Sequence, residues 1–538
     1  MPNISNFMRR LCIILCALIG TLLPTALSAT EPPRLVVNIV VGAMRSDDLD
    51  RYNSNFTEQG FRRLMREGVT YTEAYYTFST LSTASGLATL STGANPSVHG
   101  VVGESWWSHT DAKRISLIND PKAYPVEFST GSGNYSAHRI TAPTVGDMLC
   151  MSNPQSKLFS LAIEPLGAIV LNGKHGTALW AEKNQTFWTT SSAYSDKLPE
   201  WITEYNKSNT NEKYVEKRWQ PLYKASMYKN HEVAIVEGIK DKTTHLITDV
   251  DLDLTKTLYS TLQYTPAGNS AVLHFADEVI RREGLGQDRD TDILNIYLDS
   301  SRNIAQTYGT ESIEYEDMLY RLDKDLVWFI DSLYTQIGAQ EVVIVLTSDH
   351  GTSPSFNAAG SAPRHRFNYR QMEVIVNAYL GGRYGADNYV VGYANKSLYL
   401  NHATIAAKRL SYNDVCDEVA TFLLQLQGVS NAVSASSMRN TTFGHGRTLL
   451  MQESFFGARS GDILIDFVAG CIIEDDDYRS LCTSGYNYDR HVPLIISRGT
   501  GENRTVSQSV DLGAVAPTLC RLLGISQPWA SSLQPLEL

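Results

Sequence analysis

Short apolar runs rich in β-branched residues recur along this chain, with stretches of helical spacing between them. Residues 35–41 (Leu-Val-Val-Asn-Ile-Val-Val), 157–163, 292–298 and 342–346 are such runs. They are short and nearly unbroken by polar residues, the pattern of strands buried on both faces. Residues 56–67, 144–151, 272–283 and 314–334 instead read as amphipathic helices, as where Phe61, Leu64 and Met65 share one face. Gly284 stops one of these helices. A final helix at 515–523 has Pro517 in its first turn and Gly524 as its stop. Strands alternating with helices predict an α/β fold whose central sheet is doubly wound, mostly parallel and flanked by helices.

Two stretches interrupt that rhythm. Residues 176–268 break into polar, aromatic-rich pieces with many turn residues and are read as an inserted cap. Trp180, Trp188, Trp201 and Trp219 lie there, either filling the cap's own core or offering a binding surface. Residues 374–437 alternate strands (388–393, 396–400) with a helix (413–426) and are read as a small α+β subdomain. Further strands are expected at 460–467 and 492–496, and an extended segment at 71–78.

The amino terminus changes the picture. Arg9 and Arg10 precede an apolar run from Leu11 to Leu23, and Ala26-Leu-Ser-Ala29 supplies small residues for cleavage. Residues 1–29 are therefore expected to be a signal peptide, leaving residues 30–538 as a periplasmic or secreted domain. No second stretch is long enough to cross a membrane. The net charge of −11 gives no basic patch and argues against a nucleic-acid partner. Two of the seven cysteines leave with the leader. Of the rest, Cys471 and Cys482 are the nearest pair for a disulfide, while Cys150, Cys416 and Cys520 sit in apolar helical patterns as buried thiols.

Candidate chemistry gathers after the strands. The run at 342–346 delivers Thr347-Ser-Asp-His-Gly351, and ligands collect at the carboxyl ends of strands in open α/β sheets. Asp349 and His350 offer one oxygen and one imidazole to a metal, or else form a capped turn. Ser79-Thr-Leu-Ser-Thr-Ala-Ser-Gly86 opens a helix, and Thr83 there is either a cap or a nucleophile supported by the helix dipole. Spacing alone favours the cap.

Several segments in order carry a resemblance: Val40-Val-Gly-Ala-Met-Arg45, Leu90-Ser-Thr-Gly93, His99-Gly-Val-Val-Gly103, Thr141-Ala-Pro-Thr-Val-Gly-Asp147, Tyr320-Arg-Leu-Asp-Lys-Asp325, Ser348-Asp-His-Gly351, Ser460-Gly-Asp462 and Tyr488-Asp-Arg-His-Val-Pro493. On these the chain resembles the alkaline phosphatase superfamily. Within it, the likeness is to the Thr-nucleophile, phosphate-irrepressible periplasmic alkaline phosphatases and the related nucleotide pyrophosphatase/phosphodiesterases. The resemblance implies a site with two zinc ions about 4 Å apart that clamp a phosphoryl group. Thr83 falls at its nucleophile, and Asp349 and His350 at two ligands of one metal. The remaining ligand positions hold Gly42, Arg302, Gln306 and Cys482, with His491 as a stand-in for the last imidazole. The phosphate-holding positions hold Glu104, Glu164 and Leu166.

Too few carboxylates and imidazoles remain for two zinc ions, although Asp299 or Asp48 could swing in to support one. No cofactor is expected, and zinc only if the site is active. The expectation is an exported pseudoenzyme that binds an unknown protein or cell-envelope ligand. The competing reading is a metal-dependent phosphate mono- or diester hydrolase with an altered site. Arg302 is expected to substitute for the missing metal charge by pairing with Asp349, Glu104 or Glu164.

Overall fold

Five parallel strands form the middle of the sheet, in the order Val342–Thr347, Leu35–Val41, Asp292–Leu298, Leu158–Ala162 and Thr177–Ala181. The computed structural model describes residues 31–127, 133–181, 187–208, 219–230, 262–354, 366–473, 484–499 and 501–538. The expected leader and Cys482 lie outside these residues. Antiparallel strands flank the parallel core: Leu494–Ser497 pairs with Val342–Thr347, and Trp188–Thr189 with Thr177–Ala181. Gly68–Tyr71 and Arg504–Val506 extend one edge to make nine strands.

Alternation along the central strand divides the core in two. Val37, Ile39 and Val41 point into a cluster shared with the helices Pro266–Glu283 and Ile313–Gln336. Val36 and Val40 point into another cluster, shared with the helices Thr83–Thr92, Pro165–Asn172 and Val515–Leu523. Side chains of a strand alternate between faces, so a run buried on both sides must be apolar throughout. Asn38 is the exception in that run. It donates to Asn295 Oδ1 on the next strand (2.7 Å), and Asn295 donates to Ser160 Oγ on the one after (2.9 Å). The helices end where their glycines predict: Gly284 and Gly524 take φ of 64° and 66°, left-handed values that glycine tolerates.

The two interruptions differ from their sequence readings. Thr177–Ala181 and Trp188–Thr189, inside the expected cap, are strands of the central sheet. The tryptophans of this stretch pack inward: Trp180, Trp188 and Trp219 are 2%, 1% and 3% exposed, and Trp201 is half-buried against the cluster that holds Trp188 and Trp219. Of the two readings of these tryptophans, packing is the one the described residues follow, with Trp188 stacked on Phe275 at 3.9 Å. The small sheet orders Val390–Ala394, Ser397–Leu400, Ile463–Phe467 and Val429–Ser434. It draws in a strand from beyond residue 437 because Ile463–Phe467 pairs on both sides, with Ser397–Leu400 and Val429–Ser434. Cys416 and Cys520 are buried and Cys150 partly so, all three as thiols.

Candidate active site

Four elements end at one place. The strand Leu35–Val41 delivers Gly42, Asp292–Leu298 delivers Asp299 and Arg302, Leu158–Ala162 delivers Glu164, and Val342–Thr347 delivers Asp349 and His350. The helix Thr83–Thr92 begins there too. Its cap is Ser82, whose side chain accepts from the Ser85 N–H in a reciprocal capping box. Thr83 is thus not the cap, because the residue before it already fills that role. The Thr83 hydroxyl is buried, 3.0 Å from Arg302 Nη1, 3.4 Å from the Tyr297 hydroxyl and 3.5 Å from His350 Nε2. The helix approaches this closely because position 86 lacks a side chain: a Cβ at Gly86 would meet the Asp349 carbonyl at 1.8 Å.

Asp349 is fully buried and its carboxylate is engaged on both oxygens. Oδ1 accepts from the Ala43 N–H (2.9 Å), and Oδ2 accepts from the Tyr297 hydroxyl (2.9 Å). His350 Nδ1 donates to the Gly351 carbonyl (2.6 Å), which leaves Nε2 facing Asp349 Oδ2 (3.3 Å) and Thr83. Tyr297 is a member of this group that sequence reasoning missed. It sits in a fully buried strand, where its residue type reads simply as core. Burial first, and then the Asp349 charge, holds its hydroxyl well above the ordinary tyrosine range, so it acts as a neutral donor.

Arg302 occupies the centre of the group. Its Nη2 pairs with Glu164 Oε2 at 2.8 Å, and Nε and Nη2 also lie near Asn303 Oδ1. Of the partners expected for Arg302, Glu164 is the one in direct contact. Burial opposes the guanidinium charge, but Glu164, Tyr297, Asp299 and Glu104 outweigh it and hold Arg302 above its ordinary value. Glu104 lies at the solvent edge. Desolvation raises its carboxyl, Arg302 lowers it and Glu164 raises it again. Asp299 is buried, with Oδ2 accepting from the Ile163 N–H (2.7 Å) and Oδ1 without a hydrogen bond. Burial and the Glu164 charge push Asp299 well above the ordinary carboxylate range, against the pull of Arg302.

The remaining positions stand apart. Gln306 is half-buried on the helix Asp299–Tyr308, and Leu166 is buried in apolar packing. The His491 ring is engaged elsewhere, with Nε2 2.7 Å from the Thr72 carbonyl and its face stacked on Tyr75 at 4.4 Å. Asp48 does not swing in. It accepts from the Tyr315 hydroxyl (2.7 Å) and the Arg45 N–H (2.9 Å), and burial raises it to about 6.

These residues do not fit a pair of zinc ions. A Cβ at position 42 would lie 2.9 Å from Arg302 Cβ, 3.0 Å from the Tyr297 hydroxyl and 3.1 Å from the Leu298 carbonyl. A carboxylate projecting from there would have no space. The guanidinium beside Thr83 cannot be deprotonated to ligate a metal, and it repels a cation. For a phosphoryl dianion the fit is equally poor. The guanidinium is spent on Glu164 and Thr83, and Glu104 adds a second carboxylate nearby.

Comparison with known proteins places the chain despite these substitutions. It is 29% identical over 521 residues to alkaline phosphatase PafA of Elizabethkingia meningoseptica, covering 95% of each chain. It is 28% identical over 512 residues to alkaline phosphatase PhoV of Synechococcus elongatus, covering 93% of this chain and 91% of that one. The crystal structure of wild-type PafA superposes with a TM-score of 0.86 at 28% identity, covering 94% of this chain and 98% of that one. The sequence profile of the type I phosphodiesterase/nucleotide pyrophosphatase family matches residues 36–486, and the chain belongs to that family.

Proposed function

We propose that this chain is a catalytically degenerate member of its family that acts by binding, after export, a protein or cell-envelope ligand. One observation carries the reading. The Arg302 guanidinium sits within hydrogen-bond distance of both Thr83 and Glu164, in a space that also excludes any side chain at position 42. A threonine hydroxyl is a weak nucleophile unless a metal or base activates it. Here its nearest charged neighbour is a permanent cation that donates to it. That contact favours an oxyanion but supplies no acceptor for the hydroxyl proton. The nearest groups able to take that proton, the Tyr297 hydroxyl and His350 Nε2, lie 3.4 and 3.5 Å away, long for proton transfer. Among the described residues no helix is long and apolar enough to cross a membrane.

A second reading is favoured by the comparisons. Two relatives that it matches over nearly their whole length are named as alkaline phosphatases. On that reading the chain hydrolyses phosphate mono- or diesters, with zinc as cofactor. Hydrolysis of p-nitrophenyl phosphate by the purified protein with added zinc separates the two. We expect no rate above that of the Thr83→Ala variant. A zinc-dependent rate that falls at least a hundredfold in Thr83→Ala would establish the hydrolase instead.

A further inference from the structure

Outside the Thr83 group, three distant pieces of chain bring two imidazoles and a carboxylate together. His109 lies in the turn of the hairpin formed by Ser105–Ser108 and Lys113–Ser116. His402 is the first residue of the helix His402–Ala407, and Asp462 directly precedes the strand Ile463–Phe467. His402 Nε2 is 2.8 Å from Asp462 Oδ1, and His109 Nε2 is 3.5 Å from Asp462 Oδ2. The two rings stack at 3.7 Å and 12°. The carboxylate is built into the protein: it is 4% exposed, accepts the Leu400 N–H (2.6 Å) on Oδ2 and the Tyr412 hydroxyl (2.5 Å) on Oδ1. Both histidines face solvent.

We infer that His109, His402 and Asp462 form a binding site for one zinc-class divalent cation. One nitrogen from each ring and one carboxylate oxygen all lie within 4.8 Å of one another. A tetrahedral zinc with bonds of about 2.0–2.1 Å needs its ligand atoms about 3.3 Å apart. Small rotations of two solvent-facing rings supply that difference and splay the parallel rings so that their lone pairs converge. Water takes the fourth position from the open side.

Charge argues for the same occupant. The Asp462 carboxylate is buried and lies within 3.5 Å of both rings. A buried carboxylate is best compensated by a cation. Two nitrogens and one hard oxygen suit zinc better than calcium or magnesium, which take oxygen ligands. The ion ties the hairpin to the small sheet, and it thereby anchors the segment that begins next to Glu104.

This site is independent of how the Thr83 group is read. The test uses the whole mature protein, stripped with chelator, dialysed against zinc chloride and analysed for metal, with thermal unfolding in parallel. One zinc per chain is expected. It should be retained in His350→Ala and weakened at least tenfold in both His402→Ala and His109→Ala. Zinc should raise the unfolding midpoint of the wild type and His350→Ala but not of the other two. Both histidine variants should still unfold in one cooperative transition without zinc, so a folding failure is recognisable. Absence of bound zinc in the folded wild type would overturn the site. So would loss of zinc from His350→Ala with full retention in His402→Ala, a result that would point to the Thr83 group instead.

Discussion

The two sides of Thr83 have fared differently. On one side Asp349 and His350 keep the residue types the family resemblance asks of them. There only the third position, Gly42, is changed, whereas on the other side Arg302 and Gln306 stand where two ligands are expected. The difference lies in what else each residue does. Asp349 accepts the Ala43 N–H and the Tyr297 hydroxyl, and its carbonyl lies against the helix at Gly86. His350 bonds the Gly351 carbonyl. These residues hold the ends of two strands and a helix together, so they are needed by the fold whether or not a metal is bound. The opposite side carries fewer such duties, and there a guanidinium with its carboxylate partner fills the space. Retained ligand residues are therefore weak evidence for a retained metal when they also serve the fold.

The most damaging way to test this contrast is Gly42→Asp. The new side chain would enter the space of Arg302 Cβ and the Tyr297 hydroxyl. Overpacking and a buried charge together should cost about 3 kcal/mol or more. Urea unfolding measures the loss. Combining it with Arg302→Ala should cost less than the two single changes added, because the second makes room for the first. A Gly42→Asp variant as stable as wild type would mean that position 42 still has space for a ligand.

Arg302→Met should cost somewhat less, about 2–3 kcal/mol. It strands Glu164, but that side chain is 35% exposed and water recovers part of its solvation. An unchanged urea midpoint would show that the guanidinium does not compensate the carboxylates. The smallest effect, visible as pH dependence, is expected of Asp299→Asn. The folded-state pKa of Asp299 is raised, chiefly by burial and then by Glu164, so the folded protein binds a proton that the unfolded chain gives up at the ordinary value. The stability this contributes is present below the ordinary aspartate range and is lost as pH rises through the folded value. Urea midpoints compared between acid and mildly alkaline pH should fall more for the wild type than for Asp299→Asn. Parallel curves would remove the charge conflict assigned to this side.

Much of the framework was legible in the sequence because it rests on short-range rules. The runs at 35–41 and 292–298 are the observed strands residue for residue, since a strand buried on both faces must be continuously apolar. Asp349, His350 and Thr83 were found as candidates and do converge. What Thr83 faces was not legible. Its local pattern reads as a cap, and only the neighbouring Ser82 shows that the cap is already supplied. Tyr297 was invisible because its strand pattern is satisfied by any large apolar side chain. The tryptophans of the expected cap read equally as core or as surface because their segments lack periodicity, and partners far along the chain bury three of them.

By itself, then, the sequence determined the alternation of strands and helices, the doubly wound class, and which residue types stand at each strand end. Those follow from local periodicity and from chemistry carried by single residues. Tertiary structure alone decided that Arg302 reaches Thr83 and Glu164, that a side chain at position 42 has nowhere to go, and that His109, His402 and Asp462 meet. Each of these depends on distances between segments at least 60 residues apart, and packing, not local sequence, sets such distances.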